Sequence, residues 1–121
     1  MYRILYVDDE PDLREIALLA LSLDAGLEVR TAASGVEAIT TVSDWMPDLV
    51  LLDVMMPGMD GPATLARLRE HPRTAKLPVV FITARAQPGD LETFATLDAR
   101  GVIAKPFDPM TLAQQVRGLL G

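Results

Sequence analysis

The chain has 121 residues, half of them hydrophobic, and its 17 acidic and 11 basic side chains give a formal net charge of −6. This length suits one ordinary domain, and the apolar content argues against a disordered chain. The acidic balance argues against a nucleic-acid-binding surface, because such surfaces carry a basic excess. The chain has no cysteine, which excludes disulfides, thiolate metal sites and cysteine nucleophiles.

The N-terminal sequence argues against a targeting segment. The apolar run at residues 4–7 meets Asp8 and Asp9 too early for a signal peptide, and no apolar run reaches the length of a membrane span. We therefore expect a cytoplasmic protein without membrane contacts. We also expect residues 1–121 to form a single domain with no separate output domain, because no linker is visible and the pattern ends with a helix.

The hydrophobic pattern predicts five strands that alternate with five helices. The strands are expected at residues 4–7, 27–31, 49–52, 77–82 and 102–104, and the helices are expected to begin near Pro11, Ser34, Asp60, Pro88 and Asp108. This order is typical of an α/β fold in which a parallel sheet carries helices on both faces. The second strand alternates apolar and polar residues, which indicates an edge strand.

Short local signals support the helix starts. Ser34 with Glu37 forms a capping box, Asp60 precedes Pro62, and Asp108 is expected to cap a last helix with Pro109 in its first turn. Apolar spacing predicts which residues face the sheet. These are Leu13, Ile16, Ala17, Ala20 and Leu21; Ala38, Ile39, Val42 and Met46; Leu65, Ala66 and Leu68; Leu91, Phe94 and Ala95; and Leu112, Ala113, Val116, Leu119 and Leu120.

Four predicted strands end at a residue with a charged or hydroxyl group. Asp8 and Asp9 follow the first strand, Asp53 the third, Thr83 the fourth and Lys105 the fifth. The carboxyl ends of parallel strands lie along one edge of a sheet, where α/β proteins place their ligand crevices. We therefore expect these groups to meet in one site.

Three carboxylates in one crevice need a compensating charge. One pair at ~4 Å costs roughly 4 kcal/mol at an effective dielectric near 20. A hard divalent cation with oxygen ligands provides that compensation, and Mg²⁺ is favoured over zinc because the pattern holds no thiolate or histidine. Asp9 and Asp53 are predicted as direct ligands, Asp8 as a ligand through water, and the backbone carbonyl of Met55 as the remaining protein ligand.

The same set of groups suits phosphoryl transfer to Asp53. That reaction needs charge neutralised on the phosphoryl oxygens and an in-line approach. Lys105 supplies a fixed positive charge, Thr83 supplies a hydroxyl donor, and Ala84 is small enough to leave room. We therefore interpret Asp53 as a phosphate acceptor.

Four motifs in this order resemble the response-regulator receiver domain of two-component signalling, in particular the single-domain chemotaxis regulators. The motifs are Val7-Asp8-Asp9-Glu10, residues 52–61 around Asp53, Thr83-Ala84 and Lys105-Pro106-Phe107. The resemblance implies a flavodoxin-like fold with strand order 2-1-3-4-5 and five helices. It also implies a magnesium-dependent transfer to Asp53 from a phosphohistidine of a sensor histidine kinase or a histidine phosphotransfer protein. Slow self-dephosphorylation, a cis Lys105-Pro106 bond and a downstream protein target are implied as well.

One position departs from the family pattern. The family couples the hydroxyl at Thr83 to an aromatic residue three positions before the lysine, and this chain has Val102 there. A valine cannot swing a ring toward Thr83. The loop at residues 84–89 and the helix after it are the alternative reporters of phosphorylation.

Two other functions remain open from the sequence. One is a hydrolase of the aspartyl-phosphate type, which would need an acid two residues after Asp53, where this chain has Met55. The other is a receiver that binds its partner without phosphorylation. Residues 16–21 are all apolar, which either reflects burial of the first helix or predicts a docking surface for a phosphohistidine-bearing partner.

Overall fold

A computed structural model describes residues 1–85 and 87–120 of the chain. The strands are β1 (Tyr2–Val7), β2 (Leu27–Ala32), β3 (Leu49–Asp53), β4 (Val79–Thr83) and β5 (Gly101–Ala104). The helices are α1 (Pro11–Ser22), α2 (Gly35–Asp44), α3 (Gly61–Glu70), α4 (Pro88–Ala95) and α5 (Leu112–Leu120). All strand pairs are parallel, in the order β2-β1-β3-β4-β5, which confirms the predicted flavodoxin-like fold.

The sheet is covered by helices on both faces, so its central strands β3 and β4 are apolar up to their last residues, Asp53 and Thr83. Every residue of β3 and β4 is buried. Because successive strand residues point to opposite faces, the strands contribute to two separate cores. Leu52 and Phe81 belong to the core beneath α2, α3 and α4, whereas Tyr6 and Leu51 belong to the core beneath α1 and α5. Burying one such side chain contributes roughly 1.5–3 kcal/mol, so the two layers together fix the strand ends.

The predicted starts of two helices are confirmed by their capping bonds. Ser34 Oγ accepts a hydrogen bond from the N–H of Glu37 at 3.1 Å. Asp60 Oδ1 accepts one from the N–H of Ala63 at 2.9 Å. Each side chain thus satisfies an N–H that has no partner inside its helix. Among the described residues, no helix is both long enough and apolar enough to cross a membrane.

The predicted start of the last helix was wrong. The helix begins at Leu112, and residues 109–111 form a turn before it. Asp108 Oδ1 accepts a hydrogen bond from the N–H of Met110 at 2.9 Å, so it caps this turn and not the helix. The fourth strand also begins later than predicted, at Val79, because Pro78 has no N–H to donate to a neighbouring strand.

Several predicted inward-facing residues lie at the surface. Ile16 is 40% exposed and Leu91 is 41% exposed, and Ala66 and Ala95 are also exposed. In α4 only Phe94 is buried, because this helix is eight residues long and offers a single anchor. In α3 Thr64 is buried beside the predicted Leu65 and Leu68, and its hydroxyl donates to the carbonyl of Asp60 at 2.7 Å. A satisfied hydroxyl can be buried, which the apolar pattern could not reveal.

Gly61 begins α3 directly against the backbone of the strand that carries Asp53. A Cβ atom at this position would lie 2.5 Å from the carbonyl oxygen of Asp53 and 2.8 Å from Cα of Val54. The N–H of Gly61 donates to the carbonyl of Val54 at 3.0 Å. The missing side chain therefore allows the loop after Asp53 to fold back over the end of β3.

We expect Gly61→Ala to lower the free energy of unfolding by about 1–3 kcal/mol, because the added methyl group meets backbone atoms that cannot yield locally. Gly118→Ala is the matched control, since a Cβ at Gly118, inside α5, would meet no atom within 4 Å. That control should gain about 0.5–1 kcal/mol through helix propensity. Urea denaturation measures both, and two shifts of the same sign would contradict the argument.

Candidate functional site

The carboxyl ends of the strands bring Asp8, Asp53 and Lys105 into direct contact. Lys105 Nζ lies 2.8 Å from Asp8 Oδ2 and 3.1 Å from Asp53 Oδ1. Asp8 is 0% exposed and Asp53 is 4% exposed. Residues 97 positions apart in the sequence are thus joined by one ammonium group. The Lys105-Pro106 peptide bond after β5 is cis, as the family resemblance implied.

Asp8 is held by hydrogen bonds to both carboxylate oxygens. Oδ2 accepts from the hydroxyl of Tyr6 at 2.9 Å and from Lys105, and Oδ1 accepts from the N–H of Glu10 at 3.0 Å. Arg14 Nη1 donates to the carbonyl oxygen of Asp8 at 2.8 Å. Burial, followed by the Asp8 charge, raises the pKa of Tyr6 far above its ordinary value, so its hydroxyl remains a donor. These contacts fix the position of the Asp8 carboxylate.

Asp53 is anchored through one carboxylate oxygen only. Oδ1 contacts Lys105 and also accepts a long hydrogen bond of 3.4 Å from the N–H of Met55. Among residues 1–85 and 87–120, no group donates a hydrogen bond to Oδ2 of Asp53. Burial, and then the negative charge of Asp8, raises the pKa of Asp53 to about 6. Lys105 opposes this shift and does not cancel it.

Lys105 remains charged in this setting. Its burial lowers the pKa of the ammonium group, but hydrogen bonds to Asp8 and Asp53 outweigh that cost, and the net pKa is raised. A fixed positive charge therefore faces the two buried carboxylates. Its hydrophobic stem is largely covered, since only 14% of the side chain is exposed.

Asp9 completes a cluster of three carboxylates. Asp8, Asp9 and Asp53 each offer one oxygen, and these oxygens all lie within 4.8 Å of one another. Asp9 is the most exposed of the three. An all-oxygen donor set of this spacing could hold a hard divalent cation. The backbone carbonyl of Met55 was predicted as a further ligand. Met55 lies in the loop after Asp53 and is 60% exposed.

Thr83 lies at the end of β4, buried between the strands that carry Asp53 and Lys105. Its Oγ1 accepts a hydrogen bond from the N–H of Arg85 at 2.9 Å, and its carbonyl accepts from the N–H of Lys105 at 2.8 Å. Within the described part of the chain, the hydroxyl hydrogen has no acceptor. The hydroxyl can therefore donate to a group placed in the crevice.

Sequence reasoning missed Tyr6 as a member of the site. Residues 6 and 8 lie on the same face of the strand because the strand period is two, and this spacing was the available signal. Tyr6 also packs against Phe107 after β5, edge to face, with ring centroids 6.3 Å apart. The Tyr6 side chain thus contacts both the apolar core and the buried Asp8 carboxylate.

The position of Val102 is partly buried and lies beside the core under α4. Val102 pairs with Phe81 in the sheet register, and Phe81 packs on Phe94 of α4 with ring centroids 5.4 Å apart. The aromatic pair next to Val102 therefore links α4 to the strand that ends in Thr83. Of the predicted reporter loop at residues 84–89, Ala86 lies outside the described residues.

Comparison with known proteins gives consistent matches along the chain. The model of the response regulator receiver domain matches residues 4–117. Response regulator Rre1 of Synechocystis sp. is 41% identical over 117 residues, which covers 97% of this chain and 51% of that protein. Response regulator PleD of Caulobacter vibrioides is 42% identical over 119 residues, with 97% and 26% coverage. The chain thus spans about half the length, or less, of these curated relatives.

Solved structures agree with this assignment. The chemotaxis response regulator CheY4 of Vibrio cholerae superimposes with a TM-score of 0.89 and 31% identity, covering 98% of each chain. A putative response regulator from Chloroflexus aurantiacus gives a TM-score of 0.87 and 37% identity, covering 98% of this chain and 97% of that one. The family match over residues 4–117, together with the strand order, shows that this chain belongs to the response regulator receiver domain family.

Proposed function

We propose that residues 1–121 form a receiver domain that accepts a phosphoryl group on Asp53 and acts as a conformational switch or relay in two-component signalling. One observation carries this proposal. Lys105 Nζ holds one oxygen of the buried Asp53 carboxylate at 3.1 Å, while the other oxygen accepts no hydrogen bond among the described residues. The proposed donor is a phosphohistidine on a sensor histidine kinase or a histidine phosphotransfer protein, in the cytoplasm.

In the proposed step, Oδ2 of Asp53 attacks the phosphorus of the phosphohistidine. The P–N bond breaks, and the imidazole leaves with the electron pair and takes up a proton. The Lys105 ammonium stabilises the negative charge that gathers on the phosphoryl oxygens. The Thr83 hydroxyl donates to one of these oxygens, because its own oxygen already accepts from the N–H of Arg85. Positioning and charge stabilisation are the main requirements of phosphoryl transfer.

The carboxylate cluster fits Mg²⁺, which the family implies. Tyr6, Glu10 and Lys105 already donate to the two oxygens of Asp8, which favours a contact of Asp8 with the ion through water. Asp9 is proposed as a direct ligand because it is the most exposed member of the cluster. When bound, the ion would neutralise phosphoryl oxygen charge.

Two further ligands are proposed from the loop that carries the acceptor. Asp53 would contribute a carboxylate oxygen, and Met55 its backbone carbonyl. The thioether of Met55 stands where an aspartyl-phosphate hydrolase would need an acid, and a thioether cannot donate a proton. We therefore propose that the domain promotes only its own phosphorylation and dephosphorylation and does not turn over external phosphate monoesters.

A strip of exposed apolar side chains on α1 and at its C-cap, Leu23, is the proposed docking surface for the phosphohistidine donor. Ile16 is 40% exposed, and Leu19 and Leu23 are each 65% exposed. Their spacing of three and four residues places them on one helical face. The helix begins two residues after Asp9, so this strip leads away from the carboxylate cluster. A helical partner could therefore contact the strip and reach Asp53.

We propose α4 as the element that reports phosphorylation to a downstream protein. Its single buried side chain, Phe94, packs on Phe81, two residues before Thr83 in β4. A shift of Thr83 toward a phosphoryl oxygen would reach α4 through this aromatic pair.

The alternative function is a receiver that binds its partner without phosphorylation. Val102 keeps this alternative open, because a valine cannot supply the aromatic residue of the family's switch. The net charge of −6 argues against a nucleic-acid target for this domain.

The acceptor is tested by intact mass after incubation with acetyl phosphate, with and without Mg²⁺. We expect the wild type to gain one phosphoryl group only with Mg²⁺. Asp53→Ala should gain none, and Asp9→Ala should gain it far more slowly. Asp12→Ala, which removes an exposed carboxylate in the first turn of α1, is the control and should behave as the wild type. A wild type that binds Mg²⁺ and gains no mass would favour the phosphorylation-independent receiver.

The raised pKa of Asp53 predicts how stability depends on pH without divalent ions. Its pKa is about 6 in the folded protein against 3.8 in the unfolded chain, so charging Asp53 costs stability as the pH rises from about 4 to 6. Asp53→Asn should therefore be more stable than the wild type at pH 7 by about 1–3 kcal/mol, and this advantage should vanish near pH 4. Chemical denaturation in EDTA measures the difference.

Asp24 provides a control of opposite sign for that measurement. A hydrogen bond from Arg117, and then one from the N–H of Gly26, lowers the pKa of Asp24 to about 2. Asp24→Asn should reduce stability at neutral pH, and this loss should shrink only as the pH falls toward 2. If Asp53→Asn showed the same sign as Asp24→Asn at pH 7, the assigned electrostatic cost of Asp53 would be wrong.

Substitutions in the proposed docking strip should slow phosphoryl transfer from a partner protein without affecting transfer from a small-molecule donor. Leu19→Glu with Leu23→Glu should slow transfer from a phosphorylated histidine phosphotransfer protein by about tenfold or more, because burial of two leucines is lost. The rate with acetyl phosphate should not change. Val36→Glu is the control, since Val36 is 62% exposed on α2, away from this strip. Equal slowing by Val36→Glu would exclude a specific role for α1.

The proposed reporter is tested by amide hydrogen exchange along α4. Phosphorylation of the wild type should change the protection of α4 amides. In Phe94→Ala, this helix should exchange with little protection in both states, because its only buried anchor is lost. Leu91→Ala, an exposed change on the same helix, should retain the wild-type response. An unchanged response in Phe94→Ala would exclude the aromatic pair as the link.

A further inference from the structure

The helices α2 and α3 lie close together at their N-terminal ends and separate toward their C-terminal ends. At the close end, a Cβ atom on Gly35 would lie 3.1 Å from the carbonyl oxygen of Met59 and would collide with Thr64 Oγ1. At the open end, the two helices and the loop after α3 line a half-open cavity of about 400 Å³. The cavity lies on the side of the domain opposite the carboxylate cluster, because these helices run antiparallel to the strands that they cover.

The floor of this cavity is apolar. Ile39, Val42 and Met46 of the α2 region and Leu68 of α3 line it. Val42 is 1% exposed and Leu68 is 2% exposed, so these two side chains are fixed in the core beneath the cavity. The cavity volume falls in the range of roughly 300–1,000 Å³ that is typical of small-molecule sites. A flexible or planar apolar group of modest size would therefore fit.

The rim carries uncommitted positive charge. The charged residues that line the cavity are two arginines, Arg67 and Arg73, and one acid, Glu70. Arg67 meets Glu70 only at 3.8 Å in an exposed pair, which is a weak interaction. Within the described residues, the side chain of Arg73 forms no hydrogen bond or ion pair. His71 Nδ1 accepts a hydrogen bond from the N–H of Arg73 at 3.3 Å, so a neutral His71 carries its proton on Nε2 as a further donor.

We propose that this cavity binds a small amphiphilic anion, with the apolar body on the floor between α2 and α3 and the acidic head at Arg67 and Arg73. The positive rim is a local feature, because the chain as a whole is acidic, with a net charge of −6. A neutral apolar molecule would leave the arginines unused. A cation would meet two like charges. The site is independent of phosphoryl transfer, since none of its side chains belongs to the strand-end cluster.

Decanoate and 1-decanol serve as a matched pair of probes that differ in the charged head. Binding is followed by amide chemical shifts, with decanoate kept below its micelle concentration. We expect saturable decanoate binding, with the largest shifts around Ser43 and His71, and weaker binding of 1-decanol. Arg67→Gln with Arg73→Gln should weaken decanoate by about fivefold or more and leave 1-decanol within about twofold. Lys76→Gln, an exposed charge outside the cavity, should change neither.

Three results would overturn the proposal. They are an absence of saturable decanoate binding, equal affinity for the two probes, or equal weakening of both by the arginine substitutions. Ser43→Phe, at an exposed position on the cavity wall, should fill the space and abolish binding of both probes. Persistent binding in Ser43→Phe would place the ligand elsewhere, and the arginine variants decide the question should that protein fail to fold. Asp53→Ala should bind decanoate as the wild type does, which separates this proposal from the proposed phosphoryl transfer.

Discussion

The ammonium group of Lys105 lies between two buried carboxylates, and the arrangement of the strand ends depends on this contact. Asp8 and Asp53 would otherwise repel each other by roughly 4 kcal/mol at ~4 Å and an effective dielectric near 20. One ammonium group offsets only part of the cost, because the pKa of Asp53 is still raised to about 6 by burial and by Asp8. The remaining deficit of positive charge explains why the site suits a divalent cation.

The contact requires a long side chain on one particular strand. In the sheet order, β4 lies between the strand of Asp53 and the strand that leads to Lys105. Neighbouring strands are about 4.8 Å apart, so the side chains of Lys105 and Asp53 together must bridge two such spacings, and the long lysine stem supplies most of that reach. Lys105 also donates its N–H to the carbonyl of Thr83, which fixes its backbone beside β4. The site can therefore form only when the parallel sheet is complete.

The strands and their terminal polar groups could be predicted from the sequence because continuous apolar runs mark buried strands, and each run ends at a polar residue. Helix faces were predicted less well. Leu91 and Ala95 match a helical stripe, yet packing buries only Phe94, because a short helix touches the sheet at one point. Tyr6 could not be distinguished from an ordinary core residue. Its hydrogen bond to Asp8 depends on side-chain directions that a strand pattern does not specify.

Anchoring is uneven around the proposed phosphate-acceptor site, and this unevenness suits a switch. The Asp8 carboxylate accepts three hydrogen bonds, from the Tyr6 hydroxyl, the Glu10 N–H and the Lys105 ammonium, and the backbone at Gly61 packs tightly behind Asp53. On the other side, α4 rests on Phe94 alone. A charge added at Asp53 would act on a rigid strand, β3, and on a loosely held helix, α4. The conformational response should therefore appear in α4, since the element with the fewest buried contacts costs least to move.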